Sequence, residues 1–253
     1  MGSLLGAGVV VMIVADAVVG LRLLALWLRT RRTPELGFGC ALLLLGAIGY
    51  PLSIAARKGL VGGPEDHALW LGIALGLQNL GCAAMAFATA STFRARLGWA
   101  RGIAIAMALL LVGTWGAQAI TDDFARPTGE SALYWMGLAG RVLPFLWSAI
   151  ESWAYFALLR RRLRLELADP VVTDRVRLWA ISASGVVVAF AVFAAGLLAG
   201  LDVTASPLVL ASTSIAGCAT GISLWLAFLP PAAYLRRLRA GARGGATRDP
   251  SPA

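Results

Sequence analysis

The sequence predicts an all-α integral membrane protein, a seven-transmembrane-helix bundle with its amino terminus outside and its carboxyl terminus cytoplasmic. Three observations carry that expectation. The 253 residues are 59% apolar with a mean hydropathy of +0.78, too hydrophobic for a soluble domain. The apolar residues gather into seven runs of about 20 residues, the length a helix needs to cross the hydrocarbon core at about 1.5 Å per residue. Finally, the net charge of +9 is not spread over one face, as nucleic-acid binding would require, but sits at alternate helix exits.

The expected helices are 4–28, 37–55, 68–92, 101–120, 133–159, 176–201 and 207–229, within one transmembrane domain over 1–235. The first lacks a basic n-region and is followed by Arg29, Arg31 and Arg32, the reverse of a cleavable signal, so it is expected to stay and insert. Asp16 lies near its centre. The second carries Tyr50 and Pro51, and a proline there frees a carbonyl that neighbours must satisfy. The third places Gln78 and Asn79 near mid-membrane. The fourth ends in Thr114, Trp115 and Gln118, before an acidic loop with Asp122 and Asp123. The sixth is expected to end at Gly196 and Gly200, and the seventh is rich in small and hydroxyl residues, among them Ser212 and Thr213. Residues 236–253 read as a basic, disordered cytoplasmic tail.

The fifth helix holds the most information. It contains Arg141 and Glu151 and leaves through Arg160, Arg161, Arg162 and Arg164. On insertion scales a charge at the centre of a span costs about 2.5–3.5 kcal/mol, so both residues are expected to face the bundle. Arg141, Ser148, Ser152 and Tyr155 form one helical stripe with Glu151 at its border. Leu138, Val142, Leu146 and Ile150 are expected to face lipid.

Orientation follows from the basic residues. Seventeen of the 22 lysines and arginines lie in the first, third and fifth loops and the tail, whereas only Arg57, Lys58 and Arg126 lie in the alternate loops. By the positive-inside rule the former side is expected to be cytoplasmic, and the chain is expected in a plasma or inner membrane.

Depth estimates bring Asp16, Gln78, Asn79 and Arg141 to one level, with Tyr50, Trp115, Gln118, Ser212 and Thr213 above them. The expected site is therefore an outward-facing polar cavity floored by the first four and lined by the rest. A buried latch, with Asp16 paired to Arg141, is the competing reading. Glu151, about 15 Å below Arg141 along the helix, is expected to form an ion pair or relay near Arg94 and Arg96.

Several function classes are excluded by composition. A single histidine, His67, cannot supply zinc hydrolase, di-iron or bis-histidine haem sites, and a retinal pigment needs a lysine in the seventh helix where none exists. Cys40, Cys82 and Cys218 show no ligand spacing. No enzyme activity, cofactor or metal is expected. The expected role is a sensor or receptor-like protein that binds a small ligand and signals through a separate protein docked on the arginine-rich loops. A transporter built of three, one and three helices, or a structural subunit, are the alternatives. The expected partners are thus the bilayer, a small ligand and a protein, not nucleic acid.

Overall fold

In the computed structural model, which describes residues 2–126, 129–203 and 205–238, the chain is helical with no strand among the described residues. Among the described residues, seven helices are long and apolar enough to cross a membrane: α1 (Gly2–Thr30), α2 (Thr33–Arg57), α3 (His67–Phe93), α4 (Gly98–Ile120), α5 (Ala132–Leu163), α6 (Pro170–Leu198) and α7 (Pro207–Phe228).

Local chemistry sets the ends. Pro34, Pro170 and Pro207 stand in the first turns of α2, α6 and α7, where a missing N–H costs nothing. The Asp169 carboxylate accepts the Val171 N–H at 2.7 Å and the Ser131 hydroxyl accepts the Tyr134 N–H at 2.9 Å, capping α6 and α5. The Asp169–Pro170 cap starts α6 at 170 rather than 176, so Arg175 also lies inside the helix. In α5 the last turn carries Arg160, Arg161 and Arg162, cations favoured by the helix dipole, and the helix runs to Leu163.

Pro51 does not break α2. The stretch Leu42–Gly49 just before it widens into a π-helix, in which the Tyr50 N–H reaches the Leu45 carbonyl. Such a wide turn absorbs the proline ring and its missing donor without ending the span.

Packing makes α3 the centre: 61% of its most apolar window is buried, against 22% for α4 and 17% for α6. α3 touches α2, α4 and α5; α1 packs between α2 and α7; α6 joins α5 to α7. α4 packs only on α3 and α5 among its larger contacts, and turns Ile105, Leu109 and Val112 outward, where lipid suits them. Small residues allow the closest approaches, as membrane packing requires. A Cβ on Gly8 would stand 1.9 Å from the Ser214 carbonyl oxygen, and the Gly8 N–H donates to the Ser214 hydroxyl at 3.0 Å. The Gly72–Gly76 pair instead receives aromatic rings, Phe124 and Trp115.

Near the arginine-rich end, Trp179 closes the core. Its ring meets Phe38 edge-on at 4.5 Å and Phe228 at 5.7 Å, and its N–H donates to the Ser148 hydroxyl at 3.1 Å. After Pro230 and Pro231, residues 232–238 are helical, so the segment expected to open a disordered tail at 236 begins ordered; 239–253, the rest of that expected tail, lie outside the described residues. The Tyr234 hydroxyl donates to Asp174 at 2.5 Å, and Asp174 also pairs with Arg177. Burial, and then the Asp174 hydrogen bond, push the Tyr234 phenol above its ordinary value. A raised folded value favours the protonated form, so this contribution is complete below about pH 10 and is lost as pH rises through the folded value. Tyr234→Phe is therefore expected to loosen residues 232–238 from α6 at neutral pH, while the wild type loosens only above about pH 10. A spin label at Arg237→Cys would report this, and equal mobility in both proteins at neutral pH would refute it.

Candidate functional site

Facing helices build a polar column from α3, α4 and α5, and the acidic loop closes it. On α5, Tyr134, Gly137 and Arg141 are buried on one side of the helix, spaced so that each stands about a turn from the next. Arg141 is 3% exposed. Its guanidinium donates to the Asn79 side-chain oxygen at 3.3 Å, and it has no carboxylate within ion-pairing distance among the described residues. Asn79 in turn donates to the Leu111 carbonyl at 3.2 Å, and the Cys82 thiol contacts the Arg141 carbonyl oxygen at 3.6 Å.

Gln118, 2% exposed, lies towards the amino-terminal end of the bundle. Its amide N–H donates to Asp123 at 3.0 Å, and the Ser131 hydroxyl donates to the same carboxylate oxygen at 2.8 Å. Asp123 stands on a short 3₁₀ turn, Asp123–Ala125, entered through Asp122 at φ 50°. The other oxygens, Gln118 Oε1 and Asp123 Oδ1, are buried and accept no hydrogen bond among the described residues. Gly137 leaves room for about a methyl group between these groups: a Cβ there would lie 3.6 Å from both Arg141 Nη1 and Gln118 Oε1.

Above the column, at the amino-terminal end, opens a cavity of ≈ 440 Å³ walled by Arg57, His67, Arg126, Phe193, Leu197 and Asp202. A narrow space of ≈ 10 Å³, about the room of one water molecule, continues from it between Arg57, Gln118, Asp123 and Tyr134. The two share Arg57, Leu71 and Arg126 as walls. The rim thus carries two arginines, one histidine and Asp202, and the narrow space ends at Gln118, Asp123 and Tyr134; Arg141 lines neither.

The expected floor is not assembled as one layer. Asp16 and Arg141 do not pair: Asp16 is 5% exposed and lies against Gly46 in the π-helical part of α2, so close that a Cβ on Gly46 would stand 1.8 Å from its Oδ2. The reason is lateral, since α1 packs on α2 and α7 rather than on α5. Gln78 turns to α2 and donates to the Gly49 carbonyl at 3.1 Å. Trp115 donates to the Gly72 carbonyl at 2.8 Å. Thr213 donates to the Val209 carbonyl of its own helix, and neither it, Ser212 nor Tyr50 is among the cavity walls. On α5, Tyr155 is 39% exposed rather than inward, and Leu138 is 5% exposed rather than facing lipid.

Glu151 pairs with Arg94, at 2.9 and 3.1 Å from its Nε, and also accepts from the Trp147 ring N–H at 3.3 Å. The hydrogen bond and the charge of Glu151 hold the Arg94 guanidinium above its ordinary value. Arg96 is not needed for this pair. The residues that sequence reasoning left out are Arg57, Asp123, Tyr134 and Gly137. A signal for two of them was present, because Tyr134 and Gly137 precede Arg141 by seven and four positions and so share its helical face. Asp123, in a loop, gave none.

Compared with known proteins, the chain matches no family model, no curated protein and no solved structure.

Proposed function

We propose that the chain is a multi-pass receptor-like protein of a plasma or inner membrane that binds a small ligand through the ≈ 440 Å³ cavity and signals through a separate protein. Its amino terminus lies outside, the cavity faces outward, and the arginine-rich loops face the cytoplasm. The carrying observation is Arg141, buried with no carboxylate within ion-pairing distance among the described residues, in a polar column whose upper groups Gln118 and Asp123 line the space below the cavity. An ionisable group held inside a membrane bundle without a counter-charge is expensive as structure alone, and such groups mark ligand or ion pathways. The orientation rests on the distribution of arginines. The exposed Arg160, Arg161, Arg162 and Arg164 at the end of α5 form the surface on which an acidic partner would dock.

Two measurements test this reading. With Lys58→Cys, a membrane-impermeant maleimide should label intact cells, whereas Arg162→Cys should react only after permeabilisation; the opposite pattern overturns the orientation. In detergent, a panel of metabolites should contain compounds that raise the unfolding temperature of the wild type but not of Leu197→Trp, whose larger indole obstructs the cavity. A panel without such a compound would count against ligand binding, and ligand-dependent flux into proteoliposomes would make the protein a transporter instead.

A further inference from the structure

We propose that the ligand is a small zwitterion, carrying a carboxylate and an ammonium group, whose head docks over Gly137 between Arg141 and Gln118. This rests on the ligand-binding reading above and names the ligand's chemistry. Two complementary deficits meet at that spot. Arg141 presents guanidinium donors with a single weak hydrogen bond and no anion, while Gln118 Oε1 and Asp123 Oδ1 are buried acceptors with no donor among the described residues. Buried groups in that state are costly, and a partner that completes both gains more than one that completes either.

Charge decides the class. A simple carboxylate would satisfy Arg141 but bring a second negative charge towards Asp123. An amine would satisfy Asp123 and leave Arg141 unbalanced. A neutral polyol would meet the acceptors and leave both charges unanswered. A molecule with both groups on neighbouring atoms answers all of them, and a carboxylate suits the planar guanidinium fork. Leu71, Leu75 and Phe124 line the approach and accept a short aliphatic side chain. The ≈ 10 Å³ constriction means that Tyr134 or Arg57 swings aside to admit the head, so binding is linked to a movement of one of these two side chains.

Thermal unfolding of the full chain in detergent tests this with alanine and leucine as zwitterions, propionate and propylamine as half-matches, and propionamide as a neutral control. The expected result is a rise of roughly 3–6 °C with a zwitterion at about ten times its Kd, and little change with the others at the same concentration. Gly137→Ala should abolish the rise while keeping the basal unfolding temperature, since its methyl meets its neighbours at ordinary contact distance and occupies the docking spot. Asp123→Asn should bring propionate up to the response of alanine. Equal responses of the wild type to propionate and alanine, or an undiminished response in Gly137→Ala, would overturn the proposal. If instead a non-zwitterion from the metabolite panel stabilises the wild type but not Leu197→Trp, the zwitterion fails while the receptor reading stands.

Discussion

Arg141→Leu is expected to fold and to unfold at a higher temperature than the wild type, while losing every ligand response. Arg141 is 3% exposed and makes one side-chain hydrogen bond, at 3.3 Å to Asn79. A charge in the middle of a span costs about 2.5–3.5 kcal/mol on insertion scales, whereas leucine is favourable there by a few tenths. An interhelical hydrogen bond within a membrane returns on average only about 0.6 kcal/mol. Asn79 keeps its bond to the Leu111 carbonyl, so the loss is confined to one acceptor. The balance favours leucine by about 2 kcal/mol, a rise of several degrees for a chain of this size. A marked fall in unfolding temperature would instead show that Arg141 holds α5 to α3 as a latch, and the receptor reading would lose its main support.

Gly8→Ala is expected to have the largest effect in the opposite direction. Its methyl would stand 1.9 Å from the carbonyl oxygen of Ser214 and 2.6 Å from the carbonyl carbon. These are backbone atoms, so no rotamer change relieves the overlap and α1 must move away from α7. Overpacking of this kind costs about 1–3 kcal/mol and occasionally more. It also strains the hydrogen bond from the Gly8 N–H to the Ser214 hydroxyl. Gly113→Ala is the matched control, because nothing lies within 4 Å of a Cβ on that lipid-facing glycine of α4. There alanine should be neutral or stabilising by up to about 1 kcal/mol through helix preference. Equal unfolding temperatures for the two variants would refute the close α1–α7 seam.

The two variants probe different kinds of information in the chain. Helix number, approximate length and charge placement were legible because hydropathy and the 1.5 Å rise are properties of a segment taken alone. The cap at Asp169–Pro170 was written in the same local terms, although the sixth helix was placed six residues late. Glu151 was legible too, since its depth along one helix already set it beside the third loop and Arg94. Lateral neighbours are another matter. Asp16 and Arg141 share a depth, yet they sit in different interfaces, and nothing in either helix states that α1 lies beside α2 and α7.

What the sequence by itself determined is therefore a set of seven apolar helices, their approximate lengths, and the level of each polar group within its own helix. Only the tertiary structure decided which polar groups meet: Arg141 with Asn79, Gln118 with Asp123, and a bare Gly137 between them. The physical reason is that rise and twist per residue position a side chain on its own helix, whereas its partners depend on how whole helices pack. That packing is chosen by glycine seams and ring contacts summed over the entire bundle.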